Sequence, residues 1–311
     1  MLTARGLGEL GIIERLRRRM PRGHGVVVGI GDDAAVLALP AARARGRTQA
    51  PLLLFASDMI VEGVHFDRRR VPPLWIGWKA LACNVSDIAA MGGRPWAAVV
   101  SLGAPRSTPA GTLDGIAAGL ARCARRFGMG IVGGDTVRAP RLVVDVAILG
   151  LARPDRVVLR SGARPGDAVF VTGRLGGSYP SGRHARFMPR VAEAQRLLNR
   201  VRVHAMMDLS DGLASDLWQL SRASRVRLRV EAARIPIAPE ARTLQHALMD
   251  GEDYELLFTV GWRDAARVLA RLGRTPVTRV GSVIRRGIGV ELEEAGGRVR
   301  RLSPQGFKHF S

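Results

Sequence analysis

Seven aspartates stand in short motifs, flanked by glycine or serine, that recur along most of the chain. The formal net charge is +21, so acidic residues are scarce and their repeated placement near apolar runs is informative. Carboxylate oxygens are hard ligands that favour Mg²⁺ or Mn²⁺ over softer metals, and several such ions most often serve a nucleoside triphosphate. The motifs are GIGDDAAVL with Asp32 and Asp33, SDMIVEGVHF with Asp58, NVSDIAAMGG with Asp87, VGGDTV with Asp135, and DLSDGLASDL with Asp208 and Asp211.

Each motif alone has an ordinary structural interpretation. GDD or SDG is usually a turn or a helix cap, in which the aspartate accepts backbone N–H bonds. Glycines beside the carboxylates also let a phosphate or a hydrated metal approach the backbone closely. The recurrence of the pattern therefore predicts a shared metal site that binds phosphates.

Familiar nucleotide and hydrolase motifs are absent from the sequence. It contains no GxxxxGK[ST] P-loop, no GxGxxG after a strand, no GxSxG and no HExxH. Metal ions held by carboxylates neutralise charge on a transferring phosphoryl group, so a basic P-loop is dispensable.

Strands and helices alternate in both halves of the chain, which predicts an α/β or α+β fold. Helix 75–91 ends at two glycines and places Lys79, Cys83 and Asp87 four residues apart, on one face. Further helices are predicted over 108–127, with Thr108 as cap and Pro109 first, from Ser210 as cap to 224, and over 191–199 and 262–272. Strands are predicted over 26–30 (buried), 51–56, 97–102, 142–149, 168–172, 205–208, 226–230 and 255–260.

Length and composition predict two domains in an ordinary globular protein. The chain has 311 residues, 47% of them apolar and 24% charged. The composition changes from residue 152, where prolines and arginines cluster, so the expected domains are 1–151 and 152–311. No apolar run approaches the ~18 residues of a membrane span. Segment 7–20 reads as a short amphipathic helix rather than a signal peptide.

The cysteines and the basic residues further limit the function. Cys83 and Cys123 lie far apart and form no CxxC pair, which favours a cytoplasmic protein without disulfides or zinc. Lys79 and Lys308 are the only lysines among 48 basic residues, so 46 are arginines. They are scattered rather than gathered into a stripe, which makes nucleic-acid binding the less favoured interpretation. A general arginine bias, or steering of anionic substrates, accounts for them better.

The motifs in order resemble the thiamine-monophosphate kinase family. The resemblance rests on GIGDDAAVL, SDMIVEGVHF, KALACNVSDIAAMGGRP, GGDT, RSGARPGD, DLSDGLASDL and GEDYELLFT, and extends from the LGELGII helix to the GFKHF tail. That family belongs to the superfamily of aminoimidazole ribonucleotide synthetase and selenophosphate synthetase. The resemblance implies an N-terminal half-barrel domain that dimerises and a C-terminal mixed sheet packed with helices. It also implies ATP-dependent phosphorylation of thiamine monophosphate to thiamine diphosphate, with several Mg²⁺ ions.

The resemblance assigns roles residue by residue. It implies metal ligands at Asp32, Ser57, Asp58, Asp87, Asp135, Asp208 and Asp211. Asp33 is assigned to the turn. ATP contacts are implied at Gly134, Asp135, Arg160 and Ser210, and substrate contacts at His65, Glu252 and Phe307. No covalent catalytic residue is expected.

One segment departs from the family pattern, and two other functions stay open. After TGRLG, family members usually have a small-residue stretch such as DSAAG, whereas this chain reads GGSYPSGRHARFMPR over 176–190. The enzymatic alternative is a purine-pathway enzyme like aminoimidazole ribonucleotide synthetase, against which VEGVHF and GEDYEL argue. The alternative from another class is a basic nucleic-acid-binding protein on the same scaffold, against which the intact carboxylates argue.

Overall fold

Two β-sheets, one in each half of the chain, organise the structure. A computed structural model describes residues 3–21, 23–39, 50–307 and 309. The predicted α/β class with two sheet-containing domains is confirmed. The helices are α1 Ala4–Arg17, α2 Pro73–Ala90, α3 Ala110–Phe127, α4 Arg183–Arg186, α5 Val191–Leu198, α6 Leu213–Ser224, α7 Leu244–Met249 and α8 Trp262–Ala265, with a 3₁₀ turn at Ala232–Arg234. Of the helices in these parts of the chain, none combines the length and apolar character that crossing a bilayer requires.

The first sheet has six strands in the order β1-β2-β3-β6-β4-β5. Only β4 and β5 pair in parallel; the other neighbours are antiparallel. Alternate residues of β3 and β6 are buried, such as Leu54, Val144 and Ile148, because one face packs against α2. The strands are β1 Val26–Val28, β2 Ala35–Leu37, β3 Leu52–Val61, β4 Arg94–Ala104, β5 Gly130–Arg138 and β6 Val143–Ala152.

Helices α2 and α3 cross at two glycines. A Cβ atom on Gly77 would stand 1.9 Å from the carbonyl oxygen of Ile116, and one on Gly119 would stand 1.9 Å from that of Leu74. Only glycine permits this approach of the two backbones. The crossing seats α2 deep in the domain, and α2 carries Lys79 and Asp87.

The second sheet has the order β14-β13-β9-β12-β7-β10-β8, with β11 paired to β12. Its alternating apolar residues pack on both faces. Val171 and Leu257 lie against α6 on one side, whereas Phe170 and Phe258 lie against α5 on the other. The strands are β7 Ala168–Thr172, β8 Val203–Asp208, β9 Val226–Glu231, β10 Leu256–Val260, β11 Arg271–Leu272, β12 Thr275–Arg286, β13 Gly289–Glu293 and β14 Val299–Arg301.

Several local predictions were wrong. The helix predicted over 262–272 ends at Ala265, and Arg271 and Leu272 form β11 instead. Neither predicted capping side chain caps its helix: Pro109 holds the N-cap position of α3, and Gly212, at φ 107°, that of α6. Neither helix begins with a hydrogen bond from a capping side chain.

The predicted buried strand at 26–30 was also wrong. It forms only over Val26–Val28, and Val27 is exposed, because β1 lies at the edge of the sheet. The predicted division after residue 151 stays a prediction; β6 ends at Ala152.

Candidate active site

Three carboxylates from distant parts of the chain meet between the two sheets. One carboxylate oxygen from each of Asp33, Asp87 and Asp208 lies within 4.8 Å of those of the other two. Asp33 precedes β2, Asp87 lies in the last turn of α2, and Asp208 ends β8. The buried Oδ2 of Asp33 has no hydrogen-bond partner among the described residues. Such a group of buried oxygens fits a divalent cation with hard oxygen ligands.

Burial raises the pKa values of several carboxylates in this site, among them Asp32, Asp58 and Asp208. The pKa of Asp208 rises to about 7, through burial first and the charge of Asp33 second. Burial and Asp33 likewise raise the pKa of Asp32 to about 7 and that of Asp58 to about 6. Asp87 has a pKa well above its ordinary value, because it is buried beside other carboxylates. A bound cation would relieve this repulsion and keep the carboxylates ionised.

Arg160 joins the second half of the chain to the GDD turn. Its Nη2 and Nε donate to Oδ1 of Asp33 at 2.5 and 3.0 Å, and its backbone N–H donates to both carboxylate oxygens of Asp32 at 3.1 and 3.2 Å. Its Nη1 donates to Oε1 of Gln219 at 2.8 Å. The prediction that Asp33 serves only the turn was therefore incomplete. Its carboxylate belongs to the cluster and holds the guanidinium.

Ser57 and Asp58 lie side by side on β3. The backbone N–H of Asp58 donates to Oδ1 of Asn84 on α2 at 3.1 Å, which ties the strand to the helix. The Ser57 hydroxyl donates to Oδ1 of Asp145 on β6 at 3.1 Å. Asp145 was missed from the sequence because no motif surrounds it. Only its position on a strand that pairs with β3 brings it to the site.

The DLSD segment places its two aspartates in different surroundings. Oδ2 of Asp208 accepts a hydrogen bond of 2.6 Å from the hydroxyl of Ser86 on α2. Oδ2 of Asp211 accepts one of 3.0 Å from Nε2 of Gln219 on α6. Gln219 thus links the carboxylate of Asp211 to the guanidinium of Arg160, a contact that no sequence motif indicated.

The backbone of Ser210 supports a neighbouring turn. Its carbonyl oxygen accepts the N–H of Glu252 at 2.6 Å. The predicted ATP contact at Ser210 stays a prediction.

Gly134 and Asp135 lie on a different strand from Ser57 and Asp58. They belong to β5, the exposed edge strand of the first sheet, three strands from β3 in the order β3-β6-β4-β5. At about 4.8 Å between strands, the separation is about 14 Å along the sheet. A Cβ on Gly134 would stand 1.9 Å from the carbonyl oxygen of Val100, so strand packing already requires glycine there.

The three predicted substrate contacts do come together. Lys79, fully buried on α2, donates to Oε1 of Glu252 at 2.5 Å and to the carbonyl oxygen of His65 at 2.7 Å. The ring of His65 lies 6.4 Å from that of Phe307 and 5.1 Å from that of His309, measured between centroids. The four-residue spacing predicted Lys79 on the same face of α2 as Asp87. Its ion pair with Glu252 could be seen only in the structure.

His65 is neutral in this setting. Its Nδ1 accepts the N–H of Val61 at 3.0 Å, so the neutral ring carries its proton on Nε2. Burial lowers the pKa of His65 to about 4, with smaller contributions from the charges of His309 and Lys79. The ring therefore offers an Nε2–H donor and an apolar face to a ligand near Phe307.

Comparison with known proteins assigns the family. The family models for AIR synthase related proteins match residues 31–152 with the N-terminal domain and residues 164–293 with the C-terminal domain. The thiamine-monophosphate kinase of Rhodopirellula baltica is 39% identical over 312 residues, covering 97% of each chain. This chain belongs to the thiamine-monophosphate kinase family. The thiamine-monophosphate kinase of Bacillus subtilis is 34% identical, and the match covers 98% of this chain and 100% of that protein.

A solved structure agrees with this family assignment. The structure of "AaThiL complexed with AMPPCP and TMP" superposes with a TM-score of 0.85 at 29% identity, covering 99% of both chains. The similarity therefore extends through both sheets and the segment between them.

Proposed function

We propose that this protein transfers the γ-phosphoryl group of ATP to thiamine monophosphate, giving thiamine diphosphate and ADP. The observation that carries the proposal is the convergence of Asp33, Asp87 and Asp208 with Arg160 in a chain similar to thiamine-monophosphate kinases over nearly its full length. A structural relative bound to AMPPCP and TMP supports the same pair of substrates.

The carboxylates would hold several Mg²⁺ ions. When bound, such ions would neutralise the negative charge that develops on the transferring phosphoryl group. Asp33 joins the proposed ligands because one of its oxygens lies within 4.8 Å of oxygens of Asp87 and Asp208, and its buried Oδ2 has no hydrogen-bond partner among the described residues. The guanidinium of Arg160 is held by Asp33 and Gln219, which fixes its plane for an ATP phosphate. The other proposed ligands are Asp32, Ser57, Asp58, Asp87, Asp135, Asp208 and Asp211.

Transfer is direct and in line. A terminal phosphate oxygen of thiamine monophosphate forms a bond to the γ-phosphorus, the bond from that phosphorus to the bridging β–γ oxygen breaks, and ADP leaves. The second pKa of a phosphate monoester is near 6, so the attacking oxygen is already ionised at neutral pH and needs no strong base. Positioning and charge neutralisation supply the catalysis, and no phosphoenzyme forms.

The acceptor site lies around His65, Glu252 and Phe307. The exposed ring of Phe307 offers a face to a heteroaromatic ligand. The carboxylate of Glu252 offers a negative charge to the cationic ring of thiamine, and Lys79 holds it in place.

The test is ADP release with Mg-ATP, measured with and without thiamine monophosphate. We expect release that depends on the acceptor, and none from Asp87→Asn at equal protein concentration. Release from the wild type at the same rate without acceptor, and without thiamine diphosphate among the products, would overturn the proposal.

We infer that two copies pair through the face of the first sheet opposite α2. Phe55, Met59 and Val99 lie on that face and are 45%, 54% and 41% exposed. Asp135 occupies the same face, in register with Ser101. Asp135 lies about 14 Å along the sheet from Asp58, and we infer that it serves the cluster of a partner copy rather than that of its own chain.

Mixing two inactive variants tests this arrangement. With Asp135→Asn and Asp87→Asn, half of randomly exchanged dimers are mixed, and each mixed dimer has one intact site if Asp135 acts across the dimer. We expect about a quarter of wild-type activity to return. No recovery, with mixed dimers demonstrated by differently tagged chains, would place Asp135 in its own subunit's site.

Sedimentation tests the pairing itself. We expect a wild-type species of twice the 33.5 kDa chain mass and a monomer for Val99→Asp. Leu269→Asp, an equally exposed position in the second half, is the matched control and stays dimeric.

The buried free thiols of Cys83 and Cys123 support a cytoplasmic location as part of the proposal.

A further inference from the structure

The turn that carries Glu252 has an unusual backbone. Gly251, Glu252 and Tyr254 all have positive φ, at 71°, 53° and 50°. Glu252 and Tyr254 are two of the four non-glycine residues with positive φ in the described parts of the chain. Side chains with a Cβ adopt this conformation at a cost in free energy, so it persists only where the surroundings enforce it.

The residue between them, Asp253, is held by the segment that departs from the family pattern. Its carboxylate accepts the backbone N–H of Gly176 at 3.0 and 2.9 Å, the hydroxyl of Ser178 at 2.8 Å and Nη2 of Arg183 at 2.6 Å. Asp253 is only 3% exposed. Its whole hydrogen-bonding capacity is thus directed at one loop, which fixes the middle of the turn.

Arg183 in turn gives this loop its shape. Its guanidinium donates to the carbonyl oxygens of Arg174 and Gly176, each at 3.0 Å, and to the hydroxyl of Ser178 at 2.8 and 3.1 Å. A planar guanidinium with several fixed donors orders a loop more completely than a single donor does. Loss of Arg183 therefore releases both the loop backbone and the carboxylate of Asp253.

The other end of the same segment holds Tyr254. The ring of Phe187 stacks on that of Tyr254 with centroids 3.9 Å apart and planes 11° from parallel. The carbonyl oxygen of Phe187 accepts the indole N–H of Trp78 on α2 at 2.9 Å. The Tyr254 hydroxyl accepts from the thiol of Cys83, also on α2, at 3.1 Å. The segment thus holds the two residues that follow Glu252 and fastens them to the helix that carries Lys79.

We propose that segment 174–187 is a clamp that positions the Glu252 carboxylate for the phosphorylated acceptor, with Arg183 as its positioning residue. The inference rests on the proposed function, in which Glu252 contacts the acceptor. The clamp contacts the Glu252 turn and not the cluster of Asp33, Asp87 and Asp208. It therefore sets the affinity for thiamine monophosphate and leaves the affinity for ATP unchanged.

The test compares Arg183→Gln with Arg186→Gln. Both arginines lie on α4, but the guanidinium of Arg186 donates to the carbonyl oxygens of Ser181 and Gly182, outside the Asp253 network. We expect Arg183→Gln to raise KM for thiamine monophosphate about tenfold and KM for ATP less than about twofold, because a displaced binding group weakens one substrate alone. Arg186→Gln keeps both values within about twofold of the wild type.

A double-variant cycle separates the clamp from general loosening. If Arg183 acts through Asp253, then Arg183→Gln with Asp253→Asn raises KM for thiamine monophosphate no more than the worse single variant. Ser178→Ala removes one hydroxyl of the same network and serves if Arg183→Gln fails to fold. We expect about a threefold rise in the same KM from it.

Two results would overturn the clamp, and they differ from failure of the proposed function. Equal rises in both KM values, or an unchanged KM for thiamine monophosphate in both Arg183→Gln and Ser178→Ala, would refute the clamp while wild-type turnover upheld the kinase. A wild type without acceptor-dependent turnover would refute both.

Discussion

Replacing Lys79 by methionine tests how the acceptor site is held together. The side chain of Lys79 is fully buried, and that of Glu252 is 20% exposed. Removing one partner of a buried ion pair costs about 3–5 kcal/mol, because the other charge stays buried without compensation. Glu252 keeps some contact with water, so we expect the free energy of unfolding to fall by about 3 kcal/mol, the lower end of that range.

The pH dependence sharpens this prediction. Burial raises the pKa of Glu252, whereas the charge of Lys79 lowers it. Without Lys79 the folded-state pKa rises further above that of the unfolded chain, so the folded protein binds a proton that the unfolded chain has released. Stability of Lys79→Met therefore falls as the pH rises above the ordinary pKa of glutamate. We expect a larger loss at pH 8 than at pH 5.

Urea unfolding followed by tryptophan fluorescence measures the loss at both pH values. The matched controls are Glu252→Gln and the double variant Lys79→Met with Glu252→Gln. We expect the double variant to lose about 2 kcal/mol less than the sum of the single losses, as interacting residues do. Additive losses, or a loss below about 1 kcal/mol for Lys79→Met at pH 8, would refute the reasoning.

Further outcomes follow from the cluster and from the helix crossing. Asp87→Asn should abolish turnover yet melt no lower than the wild type in EDTA, because it removes one charge from a self-repelling group; a lower melting temperature would contradict this. The pKa of Asp208 near 7 means that the folded state holds a proton which the unfolded chain releases above pH ~4. Stability without metal should therefore fall as the pH rises from ~4 to ~7, and Mg²⁺ should raise the melting temperature more at pH 8 than at pH 5; equal increments would count against a metal site. Gly119→Ala, whose Cβ would stand 1.9 Å from a carbonyl oxygen of α2, should cost about 1–3 kcal/mol of unfolding free energy. Gly111→Ala, on the same helix but facing open space, should change it by no more than about 1 kcal/mol, and equal losses would disprove the crossing.

Periodicity and motif order predicted the frame of this fold well. Helix α2 was expected over 75–91 and forms over Pro73–Ala90, because its apolar period is strong and two glycines end it. Its four-residue spacing predicted Lys79 and Asp87 on one face of the helix. The prediction of a helix over 262–272 was wrong at its C-terminal end. Arg271 and Leu272 pair with β12 instead, and the helical spacing of apolar residues gives no sign of that pairing.

Local sequence patterns did not predict which distant segments of the chain contact one another. The GDD turn offers two adjacent carboxylates, and the family resemblance implied Asp32 as the metal ligand. In the fold an oxygen of Asp33 also lies within 4.8 Å of oxygens of Asp87 and Asp208, and Oδ1 of Asp33 accepts hydrogen bonds from Arg160. Long-range contacts of this kind depend on how the two sheets are placed, which no single motif encodes.

The origin of the phosphoryl group found in the product distinguishes direct transfer to thiamine monophosphate from hydrolysis of ATP. Purified protein would be incubated with Mg²⁺, thiamine monophosphate and ATP that carries ¹⁸O in the non-bridging oxygens of its γ-phosphate. The masses of the products would then be measured by mass spectrometry. We expect thiamine diphosphate that carries all three labelled oxygens, formed in an amount equal to that of ADP. Labelled inorganic phosphate with ADP, and no labelled thiamine diphosphate, would contradict it.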